Sequence, residues 1–360
     1  MEEKRMMIIT GIIVGLFGGG LVLLGNPVNM GFCIACFLRD IAGALGTHQA
    51  AVVQNIRPEV IGLILGSFII SKVSGEFRPM AGSATATRFL LGIFIMFGSL
   101  IFLGCPLRMV LRLAGGDLTA IPAFLGFIVG IIIGTEFLKK GFNLGRSYRQ
   151  GMAEGYTAPV FAVALLLLLL FAPSMLVFSQ EGPGSMGAPL VVTLVAGLIV
   201  GALAQRSRLC MAGGIRDIYL IKDFTLFNGF IFIFLVALIV NVFAGNFEFG
   251  FEGQPVAHTD HLFNFLGMAL VGICAILLGG CPLRQLILSG SGDGDATVTV
   301  FGMVTGGALA HNFGVAASPE GVSTVSIVTL VIGFIFVFGV AFLNMESIGL
   351  VSKSSKSIKG

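Results

Sequence analysis

The sequence predicts an all-α integral membrane protein, with about ten transmembrane helices plus short re-entrant half-helices in two inverted-topology repeats. Three observations carry this: a charge-poor composition, a series of long apolar segments, and a sequence motif that recurs halfway along the chain. Of 360 residues, 56% are hydrophobic and only 11% are charged. The mean hydropathy is +1.01. A soluble domain carries about 25% charged residues, so 21 basic and 18 acidic side chains cannot cover a water-facing surface of this size. The formal net charge of +3 is too small and scattered to attract a polyanion, which excludes a nucleic-acid binder. Bilayer is the solvent that fits.

A span needs about 20 mostly apolar residues to cross the hydrocarbon. Ten segments qualify: 7–25, 58–74, 88–104, 119–138, 157–178, 189–205, 225–244, 262–279, 297–312 and 323–344. The strongest runs over 160–178 and holds six consecutive leucines. Backbone polar groups must be satisfied internally in lipid, so each segment reads as a helix. The first run lacks a small-residue cleavage site and reads as a retained span rather than a signal peptide.

Basic residues set the orientation. With ten helices and a cytoplasmic N-terminus, Lys4, Arg5, Lys72, Arg78, Arg88, Lys139, Lys140, Arg146, Arg149, Arg206, Arg208, Arg216, Lys222, Arg284, Lys353, Lys356 and Lys359 fall inside, 17 of 21. Arg39, Arg57, Arg108 and Arg112 fall outside. Segment 245–261 carries Glu248, Glu252 and Asp260 with no Lys or Arg, as an outside loop should. Both termini are thus expected in the cytoplasm of a multi-pass bacterial inner-membrane protein.

The pentapeptide Gly104-Cys105-Pro106-Leu107-Arg108 recurs as Gly280-Cys281-Pro282-Leu283-Arg284, 176 residues later. Gly116-Asp117 recurs as Gly292-Asp293, and Gly126 and Gly130 as Gly302 and Gly306, at the same offset. Cys33, Arg39 and Asp40 match Cys210, Arg216 and Asp217 at an offset of 177. The chain therefore divides into a first repeat, 1–178, and a second, 179–360, within one membrane domain. Each repeat holds five spans, so the halves cross the bilayer in opposite senses. Inverted repeats of this kind build many secondary transporters, with sites near the midplane on broken helices.

The cysteine motifs read as that site. Proline fits the first turn of a helix, which makes Cys105 and Cys281 N-caps. The stretch from Pro282 to Leu288 allows about two turns before Ser289-Gly290-Ser291-Gly292, enough for roughly a third of the hydrocarbon thickness. Such a half-helix points its positive end and free N–H groups into the membrane, where they favour an anion. Gly25-Asn26-Pro27 ends the first span, after which Cys33, Cys36, Phe37 and Asp40 share one helical face. Its counterpart carries Cys210, Gly213, Gly214 and Asp217. Folding the halves together can gather Cys33, Cys105, Cys210 and Cys281. Thiols suit a soft sulfur- or selenium-bearing anion better than a hard one such as phosphate.

These motifs, with the stretch Gly-Phe-Cys-Ile-Ala-Cys-Phe-Leu-Arg-Asp ending at Asp40, resemble the YeeE/YedE sulfur-transport family over nearly the whole chain. The closest likeness is to the YedE branch linked to selenium metabolism. The resemblance implies uptake of thiosulfate or related sulfur species, or of a selenium compound in the YedE branch. It also implies that cysteines relaying thiosulfate map onto Cys105, Cys281 and one or both of Cys33 and Cys210. Cys36 breaks the internal symmetry, since Gly213 stands opposite it, and reads either as an added substrate thiol or as packing.

The expected function is transport of a small selenium or sulfur anion through a cysteine-lined central constriction, and not catalysis. Substrate contacts fall to Cys33, Cys36, Cys105, Cys210 and Cys281, with Arg39, Arg216, Arg108 and Arg284. A soluble cytoplasmic carrier is a further expected partner. The alternative is a membrane-embedded sulfur or selenium transferase with a covalent thiol carrier. The four arginines have a bland reading as well: they snorkel to the interface or pair with Asp40, Asp217, Asp117 and Asp293. Those aspartates are candidates for proton coupling, against turn or capping roles. Cys274, inside a span, reads as packing. No cofactor or metal is expected: Cys33-Ile34-Ala35-Cys36 lacks the soluble redox setting and the further ligands of a zinc site. The glycine runs lack the setting of a phosphate loop and read as close helix contacts. His311 lies near a span end, His48, His258 and His261 in loops, and Tyr148, Tyr156 and Tyr219 at the membrane interface.

Overall fold

A computed structural model describes residues 2–345. The tail with Lys353, Lys356 and Lys359, counted above as cytoplasmic, lies outside the described residues. The first half holds α1 (Glu2–Leu23), α2 (Ile34–Ala44), α3 (Pro58–Val73), α4 (Thr85–Ile101), α5 (Pro106–Ala114), α6 (Ala120–Lys139), α7 (Met152–Gly155) and α8 (Thr157–Phe171). The second half holds α9 (Gly182–Ser185), α10 (Leu190–Ser207), α11 (Met211–Ile221), α12 (Thr225–Ala244), α13 (His261–Leu277), α14 (Pro282–Gly290), α15 (Gly294–Asn312) and α16 (Thr324–Leu343). Two short strands, β1 (Met80–Ala81) and β2 (Tyr148–Arg149), pair antiparallel through Met80 with Arg149.

A helix occupies each of the ten predicted spans. Seven segments among the described residues are long and apolar enough to cross a membrane. In three of these, Thr85–Ala114, Leu190–Ile221 and His261–Gly290, a long helix runs into the short helix that follows it. Helices α3 and α8, at 16 and 15 residues, are shorter than a usual span. The predicted span 157–178 stops at Phe171, because Pro173 starts a short 3₁₀ turn. Apolar side chains on α8, α12 and α16, among them Leu167, Ile239 and Ile335, face outward as lipid contact requires.

Helix bounds recur at the offset of the motifs. Helices α2 and α11 have 11 residues each, α4 and α13 have 17, and α5 and α14 have 9. Each half packs its long helices against the other half. Helix α13 lies along α6, and α15 along α4; α10 lies along α3, and α12 along α1. Glycine makes these approaches possible. A side chain at Gly126 or Gly130 would collide with the backbone carbonyls of Phe265 and Ala269 on α13. Their repeat partners Gly302 and Gly306 meet the carbonyls of Phe89 and Ile93 on α4 in the same way. Gly98 and Gly267, on the α4–α13 contact, face each other's carbonyls. With little hydrophobic drive between helices in lipid, close contact of this kind is a main source of cohesion.

Candidate functional site

All four matched cysteines are helix N-caps. The Cys33 thiol accepts a hydrogen bond from Cys36 N at the start of α2, at 3.4 Å, and Cys210 accepts one from Gly213 N at the start of α11, at 3.3 Å. Cys105 and Cys281 cap α5 and α14, and Pro106 and Pro282 fill the first helical position. Nine residues give each of these helices a length of roughly 13 Å. Their first-turn N–H groups have no partner within the helix.

The thiols meet as two pairs, one in each half. Cys210 Sγ and Cys281 Sγ are 3.9 Å apart. Cys33 lies beside Cys105, with Cys36 next to both. Each N-cap pair is held by the short helices of its own half, and these short helices also touch across the halves, α5 against α11 and α2 against α14. Cys274 is fully buried inside α13.

The two pairs differ in access. A cavity of about 860 Å³ opens on one face and reaches Cys210. Its basic lining is Arg5, Arg206, Arg208, Arg216 and Arg284, and its acidic lining Glu2, Glu3, Glu76, Asp217 and Asp223. Part of this charge is paired: Arg206 with Glu76 at 3.2 Å, and Arg216 with Asp217 at 2.8 Å. Hydrogen bonds from the Thr225 hydroxyl and N–H hold the Asp223 carboxyl below its ordinary pKa at the mouth. Arg284 has a single hydrogen bond among the described residues, to Gln205 Oε1 at 3.4 Å, and lines the cavity. Cys33, Cys36 and Cys105 are buried, and none of them lines this cavity.

The arginines divide in role. Arg39 and Arg57 share Asp40, at 2.8 and 2.7 Å, and all three are buried. Arg57 also donates to the Met186 and Pro183 carbonyls, tying α2 to the loop around α9. Arg216 and Arg39 thus follow the pairing alternative read from the sequence. Arg108 does not pair with Asp117. That aspartate binds Arg112 at 2.6 Å, and Asp293 instead caps α15 by accepting from Ala296 N at 2.9 Å. The completely buried Arg108 donates to Leu103 O, Asn29 O, Pro255 O and Val256 O, and Nη1 lies 3.8 Å from Cys36 Sγ. None of these partners is a carboxylate.

Several side chains in and around the site escaped the sequence reading. Arg112 was visible only as a basic residue four positions after Arg108, and its partner Asp117 was assigned elsewhere. Gln205 carried no signal. His48 and His258 do lie in loops but are buried, with Nε2 on the Arg39 and Ile101 carbonyls at 3.1 and 2.7 Å. Tyr156 and Tyr219 hydrogen-bond Lys72 and Glu136, each at 2.6 Å.

Residues 206–352 match the model of a family described as Sulphur transport. This stretch contains the cavity-lining Cys210 and the second Gly-Cys-Pro-Leu-Arg motif. The chain is also similar to the thiosulfate transporter TsuA of Escherichia coli (strain K12), with 29% identity over 102 residues. That match covers 28% of this chain and 28% of the relative's length. Family match, relative and paired cysteine motifs point the same way: over residues 206–352 the chain is similar to the sulphur-transport family, and it spans about a quarter of the length of the relative it matches.

Proposed function

We propose that this protein carries a small sulfur-containing anion, thiosulfate or a close relative, across the membrane, with selenium oxyanions as alternative cargo. The observation that carries the reading is the pairing of thiols at matched N-caps, one pair beside buried Arg108 and the other below a charged cavity with Arg284. An anion passing between the pairs meets soft S–H donors, the positive ends of short helices and one guanidinium in each half. Thiol contacts are weak and polarisable, so cargo is held without being trapped. The recurring helix bounds and equivalent glycine contacts support two halves of opposite orientation around this path. We place the cavity on the cytoplasmic side of the inner membrane, since its arginines come from segments assigned inside by charge. A soluble acceptor is then expected at its mouth. This is transport and not catalysis: no bond of the cargo needs to break.

The test is flux into proteoliposomes with thiosulfate, selenite and sulfate side by side. Thiosulfate or selenite is expected to move and sulfate to lag. Cys105→Ala and Cys281→Ala are each expected to abolish uptake while inserting normally. Unchanged uptake in both variants would sink the assignment. A stable mass adduct on either cysteine after exposure, with no net flux, would favour the transferase instead.

A further inference from the structure

The two faces of the molecule are closed by equivalent loops of unequal length. The loop before α4 is anchored on α14–α15 by Arg78 N to Ser291 O, at 3.2 Å, and by a bridge between Met80 and Asp293. The loop before α13 repeats this on α5–α6, through Glu248 N to Gly115 O, at 2.9 Å, and a bridge between Gly250 and Asp117. Beyond the anchors the loops diverge. Four residues separate Met80 from α4, whereas ten separate Gly250 from α13. The short loop leaves Arg284 facing the cavity. The long one folds Gln254, Ala257 and His258 inward and covers Arg108.

The cover is held by unusual contacts. Arg108 Nη2 reaches Pro255 O and Val256 O at 3.4 and 3.3 Å, which is long for N–H···O. Val256 has φ of +50°, a left-handed conformation that a β-branched residue rarely adopts. The buried Gln254 Oε1 has no partner among the described residues. The Nη2 amino group of this guanidinium thus makes do with two distant neutral acceptors, and the backbone is strained in supplying one of them. An anion would satisfy the same guanidinium through shorter, charge-assisted bonds.

We propose that residues 251–260 form a lid, in which the Pro255 and Val256 carbonyls hold the place of the transported anion on Arg108. An arriving anion takes over the guanidinium and frees the lid, uncovering the path to Cys105 one turn away. This rests on the transport reading above. The strained Val256 keeps the closed state shallow, and the six extra residues explain why only one half has a cover.

Hydrogen exchange of the reconstituted full-length protein, followed by mass spectrometry over 250–261, tests this. Thiosulfate at a concentration that drives flux is expected to raise exchange at 254–258 several-fold, on the order of fivefold, while leaving the 74–84 loop unchanged. Arg108→Gln is expected to show the raised exchange without anion and no further response. Val256→Gly relieves the left-handed strain and is expected to slow lid exchange about threefold. If Arg108→Gln does not insert, the wild-type and Val256→Gly measurements decide alone. Unchanged exchange in wild type during thiosulfate flux, or in a folded Arg108→Gln protein, overturns the lid. Absence of flux with any anion removes the transport reading instead, and a raised exchange in Arg108→Gln then still supports the latch.

Discussion

Arg108 and Arg112 sit one turn apart on α5, both fully buried, yet their charges are balanced differently. Arg112 has a carboxylate, Asp117 at 2.6 Å, plus Thr119 Oγ1 and Phe102 O. Removing one member of such a pair leaves an uncompensated buried charge, at a cost of about 3–5 kcal/mol. Asp117→Asn is therefore expected to lower the unfolding midpoint in detergent sharply. A midpoint equal to wild type would show that the pair does not hold the α5–α6 corner. Arg108 donates to backbone carbonyls instead, and on the reading proposed above the same donors receive the transported anion. The same contrast appears in the thiols. Cys210 is 7% exposed at the cavity floor, against 1% for Cys105. A membrane-impermeant thiol reagent added from the cavity side should modify Cys210 at least about tenfold faster than Cys105, as local openness predicts. Equal rates would place the barrier elsewhere.

At the scale of the element, glycine and helix ends decide the architecture. Gly130 and Gly306 occupy equivalent places on α6 and α15, each against a backbone carbonyl of the facing helix. A methyl group there must push two backbones apart, and overpacking typically costs about 1–3 kcal/mol. Gly130→Ala and Gly306→Ala are expected to destabilise by similar amounts. Gly20→Ala has open space around it and is expected to be neutral or slightly stabilising, since alanine is the better helix former. Thermal unfolding of the three variants checks this; a harmless Gly130→Ala would contradict the close approach of α6 and α13. Each Cys-Pro junction is equally local in origin. Proline removes an N–H that a first turn leaves unpaired anyway, so α5 and α14 start at the residue after the cysteine in both halves. The turns before them use a left-handed residue, Leu103 in one half and Gly279 in the other. Leucine pays for that conformation, and its carbonyl accepts from both Arg108 and Cys36.

Across the whole molecule, the halves interlock rather than lie side by side, because the helices of one pack along those of the other. The positions of the ten helices, the Cys-Pro caps and the two-part repeat were all legible in the sequence. Each depends on short-range physics: apolar length, proline geometry, and recurrence along one chain. The partners of the buried charges were not legible. Arg108 was assigned an aspartate or an anion and instead meets loop carbonyls 147 and 148 residues away. The loop that supplies them could be recognised only by comparing lengths after the bridging residues were known.

The sequence by itself determined the solvent, the helices and the recurrence of the cysteine motifs. It did so because each is written in composition or in spacing within a few turns. The tertiary structure decided that the thiols meet in pairs, that Cys210 lines a cavity while Cys33 and Cys105 are buried, and that Arg108 meets backbone carbonyls rather than a carboxylate. Those outcomes turn on backbone carbonyls, which every residue carries alike, and on contacts between distant segments. Side-chain identity alone encodes neither.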